Sequence, residues 1–111
     1  MYPDNFCQDV EKKEARIMAS TQKPLSVACF EAKATDAGWK NLPSWYQVSL
    51  NDRMVPPEAE QFMAKRINAN TISFPSSHAS LVSHPKEIAE FILSAARELA
   101  HATVGEEAVH A

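Results

Sequence analysis

The stretch from residue 44 to residue 78, "SWYQVSLNDRMVPPEAEQFMAKRINANTISFPSSH", decides the fold. Ser44 to Leu50 is rich in aromatic and β-branched residues and is bounded by Pro43 and Asn51, which is the composition of a buried strand. Pro56 and Pro57 then open a helix running to about Asn68. Its apolar residues Ala59, Phe62, Met63 and Ile67 recur at helical spacing. Glu58 and Glu60 fall in the first turn and Lys65 and Arg66 in the last, which suits the helix dipole. Asn70 to Phe74 reads as a second short strand, ended by Pro75. Strand, crossover helix, strand is the parallel βαβ unit, right-handed almost without exception. In such a sheet, ligand sites form at the carboxyl ends of the strands. Asp52 follows the first strand closely, and His78 follows the second.

Outward from this unit, Pro85 opens a final helix whose apolar face is Ile88, Phe91, Ile92, Ala95 and Leu99. From about Thr103 the tail "TVGEEAVHA" has no pattern and is expected to fray. Upstream, Asp9 to Ser20 is charged and helix-favouring, with only Val10, Ile17 and Met18 as an apolar stripe. Pro24 suits the start of a short second helix, Leu25 to Phe30, and Glu31 to Asn41 reads as a loop containing Gly38.

The 111 residues suit one domain at most. A net charge of -3, with Lys12-Lys13 and Lys65-Arg66 only as isolated pairs, argues against a nucleic-acid surface. The charged first twenty residues are not a signal peptide, and no apolar run approaches the roughly 18 residues of a membrane span. A soluble cytoplasmic protein is therefore the expectation. Cys7 and Cys29 form no C-x-x-C pair and no zinc-type set with histidines, so two reduced, partly buried thiols are expected. Gly38 and Gly105 are the only glycines, which excludes a dinucleotide fingerprint, a phosphate loop and a G-x-S-x-G turn within the chain. No cofactor and no metal are expected.

Adjacent parallel strands lie about 4.8 Å apart, so loops leaving their carboxyl ends can bring Asp52 near His78. A carboxylate bonded to one imidazole nitrogen fixes the tautomer and leaves the other nitrogen as a base. Taken singly, each residue has an ordinary alternative: a turn former or helix cap for Asp52, a partly exposed polar residue for His78. His84 stands where a helix N-cap falls, immediately before Pro85, and reads as a capping or surface residue. A metal site of Asp52, His78 and His84 lacks a defensible spacing, and His101 and His110 receive no role.

Residues 42 to 96 strongly resemble the last portion of an α/β-hydrolase fold protein, a small esterase-like member. "Asn51-Asp52-Arg53 … Val55-Pro56-Pro57" and "Ser77-His78 … Val82-Ser83-His84-Pro85" carry the resemblance, in order and about 26 residues apart. It implies an incomplete α/β-hydrolase fold: a C-terminal βαβα unit with parallel strands at about 44–50 and 70–74, preceded by cap-like helices. Residues 1–41 would be a cap-like segment, 42–101 the end of the core, and 102–111 a frayed tail. By the same resemblance Asp52 is the triad acid and His78 the triad base, while Phe6, Met18, Leu25 and Phe30 would face an acyl or aryl group, with ordinary packing as the alternative for each. The serine and the oxyanion-hole loop of that family lie upstream, and no glycine-flanked serine occurs here.

Two readings of function follow. In the first, the chain is the carboxyl-terminal part of a hydrolase acting on a small ester-like molecule, inactive until another segment supplies the serine. In the second, it is a non-catalytic, truncated or pseudo-hydrolase binding module that associates with itself or with a partner segment through its unpaired strand edge. A third reading, a small α/β binding module with a coincidental Asp and His, ignores the resemblance.

Overall fold

The computed structural model describes residues 1–110 and, for side chains, residues 1–102. The elements in chain order are α1 (Tyr2–Phe6), α2 (Lys12–Ser20), α3 (Val27–Glu31), β1 (Trp45–Ser49), α4 (Pro57–Arg66), β2 (Asn70–Phe74), α5 (Ser80–Ser83) and α6 (Pro85–His110), with a 3₁₀ turn at Gly38–Lys40 before β1. Strands β1 and β2 pair in parallel, with Trp45 opposite Asn70 and Ser49 opposite Phe74. The strand, helix, strand order and the parallel pairing agree with the sequence expectation, and each strand lies within the predicted range.

The ends of these elements follow local chemistry. Helix α4 begins on Pro57, whose missing N–H costs nothing in a first turn. It ends in a Schellman motif: the Ala69 N–H donates to the Ala64 carbonyl and the Asn68 N–H to the Lys65 carbonyl, both at 3.0 Å. Asn68 supplies the left-handed residue this motif needs, with φ of 51°. The chain then enters β2 without a loop, and the Asn70 N–H donates to the Ser44 carbonyl at 2.8 Å. Helix α3 is capped by Ser26, whose side chain accepts from the Ala28 N–H, rather than opened by Pro24 as expected.

Two elements have no counterpart in the sequence reading: α1, and the single turn α5 between His78 and Pro85. The α1–α2 segment forms the clearest apolar cluster, with Cys7, Ala15 and Ala79 buried and Tyr2, Phe6, Val10 and Met18 packed around them. On β1, Val48 is 1% exposed. The face that α4 turns inward is not the one its apolar spacing selects. Glu60 and Ala64 are buried, while Phe62 and Met63 are exposed. On α6, Ile88 is buried and Ile92, Leu93 and Leu99 are exposed. The frayed tail expected over 102–111 falls largely on residues whose side chains lie outside the described residues. The backbone continues as helix through His110.

The small buried set leaves an extended molecule. Its radius of gyration is 17.4 Å, against about 13 Å for a compact domain of this size. Among the described residues, no helix is long and apolar enough to cross a membrane. Both cysteines are free; Cys7 is buried, but Cys29 is exposed rather than partly buried, because α3 lies on the surface with every residue solvent-facing.

Candidate active site

The two loops that leave the carboxyl ends of β1 and β2 remain bonded to each other beyond the strands. The Leu50 N–H donates to the Phe74 carbonyl and the Asn51 N–H to the Ser76 carbonyl, each at 3.1 Å. This extension of the parallel ladder brings the residues after each strand together. Asp52 turns back, with its N–H on the Ser49 carbonyl at 3.2 Å, and its side chain is 1% exposed.

Asp52 Oδ2 lies 2.8 Å from Nδ1 of His78. Its other oxygen, Oδ1, accepts the Met54 and Val55 N–H groups at 2.8 and 2.9 Å. Burial opposes ionisation of this carboxyl, but the bonds from the Val55 N–H, from His78 and from the Met54 N–H outweigh it and hold the group below the usual carboxylate range. An ionised carboxylate only accepts, so Nδ1 of His78 donates and Nε2 carries the free lone pair. The His78 side chain is 35% exposed. The sequence-predicted pair is therefore one hydrogen-bonded unit, with an unblocked basic nitrogen directed away from Asp52.

The amino-terminal segment lies against both loops. The Ala79 N–H donates to the Phe6 carbonyl at 3.1 Å, and Asp9 Oδ2 accepts the Ser77 N–H at 2.9 Å. Arg53 reaches the Asp4 carbonyl at 2.7 Å, and Gln8 Nε2 reaches the Asn51 carbonyl at 2.6 Å. Burial works against the charge on Asp9, yet the bonds from the Ser77 and Ser83 side chains and from the Ser77 N–H keep its carboxyl low. The Phe6 ring meets the His78 ring edge-on, with centroids 4.9 Å apart.

Of the four residues expected to face an acyl group, Phe6 touches His78 and Met18 packs in the Cys7–Ala15–Ala79 cluster. Leu25 and Phe30 are exposed, Phe30 at 77%. The His84 carbonyl accepts the Ile88 N–H, as at an N-cap. Its ring packs on Phe74 and lies 3.6 Å from Asp9 Oδ2, so it is not part of the Asp52–His78 unit. Among the described residues, no three His, Cys, Asp or Glu side chains converge as a metal-binding set.

Sequence reading missed two residues here. Asp9 carries no local signal, since its partner lies 68 residues away. Glu60 reads as a first-turn helix acid, but its side chain is buried beside β1, where Oε2 accepts the Ser49 N–H at 3.1 Å. Burial raises the Glu60 carboxyl above its usual range, and the neighbouring Asp52 carboxyl adds to the rise although the Ser49 N–H opposes it.

These shifts give folding stability two limbs. Asp52, lowered in the fold, contributes stability that is full above its unfolded value of about 3.9 and is lost as pH falls through the folded value. Glu60, raised in the fold, contributes stability that is full below its unfolded value of about 4.3 and is lost as pH rises through the folded value. Urea unfolding across pH is expected to show maximum stability just above about pH 4, with Glu60→Gln removing the decline on the alkaline side. A profile unchanged by that substitution would contradict the assignment.

A family model described as "Alpha/beta hydrolase family" matches residues 1–91. No curated protein and no solved structure matches the chain.

Proposed function

Because the chain belongs to the alpha/beta hydrolase family, we propose that it forms the carboxyl-terminal portion of an ester hydrolase and contributes the acid, Asp52, and the base, His78, of a Ser-His-Asp triad. The observation that carries this reading is the 2.8 Å contact between Asp52 Oδ2 and His78 Nδ1, formed where the carboxyl ends of two parallel strands meet. In the family's chain order the serine comes first, then the acid, then the histidine, and the two residues present here follow that order. The serine would come from a segment outside these 111 residues.

Once completed, His78 Nε2 takes the serine proton as the hydroxyl attacks the ester carbonyl. The resulting imidazolium is stabilised by Asp52 and returns the proton to the departing alkoxide. Water then cleaves the acyl-serine by the same two proton transfers. Residues 1–41 would act as part of the cap over the acyl group, with Phe6, at van der Waals reach of the imidazole, as the first wall residue.

Without serine and oxyanion donors the chain alone should not turn over ester. The test is p-nitrophenyl acetate hydrolysis by residues 1–111 alone, and by the chain extended with the reading frame that precedes the Met1 codon. Background rates alone, and His78-dependent turnover when extended by a G-x-S-x-G segment, are expected. Turnover by the extended chain that survives His78→Ala would refute the triad.

A second reading has its own supporting observation. Large apolar side chains on five helices, among them Phe30, Phe62 and Ile92, lie exposed, and β1 has one unpaired edge. In that reading the chain binds without catalysis, to a second copy or a partner segment. An upstream frame lacking any glycine-flanked serine would favour it.

A further inference from the structure

We propose that the amino ends of β1 and β2 carry a second binding site, built on Trp39, Lys40 and Arg66, for a small organic anion with an oxyanion head and an apolar tail. Asp52 and His78 stand beyond the carboxyl ends of the same two strands, so the proposal does not rest on the triad reading.

The site begins with a cavity of about 410 Å³ lined by residues 39–44 and 66–68. That is room for a small molecule, since ligand pockets run from about 300 to 1,000 Å³. Lys40 closes the 3₁₀ turn and Arg66 ends α4, so the two cations come from separate elements. Lys40 Nζ and the Arg66 guanidinium carbon each lie 5.7 Å from the centroid of the Trp39 ring. The ring attracts both and holds them at one place. Among the described residues neither cation makes an ion pair, and no Asp or Glu lines the cavity. In a chain of net charge -3 this positive charge is local and unneutralised.

Arg66 in a last helical turn also suits the dipole of α4. That accounts for neither Lys40 nor the cavity. A planar guanidinium beside a mobile ammonium matches a carboxylate or phosphate head, which Arg binds with two parallel N–H bonds. The tail follows from a neighbouring cavity of about 400 Å³. It shares Trp39, Lys40, Arg66 and Ile67 with the first and adds Tyr46 and Met63. An anion held at the two cations therefore has aromatic and aliphatic surface within reach on its other side.

The test uses residues 1–111 with ¹⁵N in tryptophan and histidine. Phenylacetate and phenyl phosphate supply the two heads on one tail, and acetate and inorganic phosphate are their tailless controls. Trp45 lines neither cavity and serves as the reference indole. At least one aryl anion is expected to shift the Trp39 indole resonance saturably, and whichever binds tighter identifies the head. The tailless ions should bind at least tenfold more weakly. Lys40→Gln and Arg66→Gln should each weaken the aryl anion roughly tenfold, the loss of one charge-assisted hydrogen bond. No saturable shift at Trp39, or an affinity unchanged in both variants, overturns the proposal. So does an aryl anion that moves the His78 ring nitrogens and leaves Trp39 in place. Should Arg66→Gln fail to fold, Lys40→Gln, at an exposed position, decides alone. The readout involves no turnover, so the ester assay and this titration fail independently.

Discussion

In the extended, serine-bearing chain, Asp52→Asn is expected to lower kcat about 10⁴-fold with KM little changed. The size follows from the tautomer. Asp52 accepts the proton of His78 Nδ1, which leaves Nε2 bare to act as base. The Asn side chain can offer its NH₂ to Nδ1 instead. The ring then carries its proton on Nε2, facing the serine, and cannot take a second one. The fold should survive, since the Asn carbonyl oxygen still accepts the Met54 and Val55 N–H groups that Oδ1 accepts now. His78→Ala should cost a similar factor, and the double variant no more than either alone, because the two residues act as a unit. A loss below tenfold for Asp52→Asn, measured by steady-state ester hydrolysis on a chain with native circular dichroism, would remove Asp52 from the triad.

Asp9→Ala is expected to release the amino-terminal segment from the loop that carries His78. Asp9 Oδ2 holds the Ser77 N–H at 2.9 Å, across 68 residues of chain. A hydrogen bond to a charged group contributes about 1.5–3 kcal/mol, so local opening should become roughly 10- to 150-fold more frequent. Cys7, buried under this segment, reports the opening through its rate of reaction with a thiol reagent, while the exposed Cys29 serves as an internal reference in every sample. Burial, and secondarily the Asp9 charge, raise the Cys7 thiol, so removing Asp9 also increases the reactive thiolate. Asp9→Asn separates the two effects, because it deletes the charge and keeps an acceptor for Ser77. Cys7 modification no faster in Asp9→Ala than in Asp9→Asn would mean that the bond does not hold the segment down.

Much of this architecture could be read locally. Pro57 and Pro85 mark their helix starts through backbone chemistry that needs no tertiary context. The aromatic and β-branched runs at β1 and β2 carry their own signal, and a parallel βαβ unit then dictates which ends of the strands face each other. That is why Asp52 and His78 could be paired from their positions alone. Helices α1 and α5 were not readable, since segments of four or five residues are not stable as isolated helices and owe their shape to neighbours. The Ala79 N–H on the Phe6 carbonyl is one such tie. The inward face of α4 was misread because Phe62 and Met63 dominate an apolar count, while Ala64 and Glu60 are the residues that are buried. Glu60 fits the helix-dipole pattern so well that its burial leaves no trace in the sequence. The exposure of Leu25 and Phe30 was equally hidden, because an apolar side chain does not say which surface will cover it.

The two residues of the Asp52–His78 contact are 26 apart in the chain, whereas the Ser77–Asp9 tie spans 68. Closing the longer loop costs about 0.9 kcal/mol more in chain entropy, and local contacts form sooner. The acid and base can therefore dock during synthesis or refolding before the leading helices settle over them, an order that delayed protection of the Cys7 thiol would reveal. A partner strand arriving late would meet a proton-transfer pair already assembled.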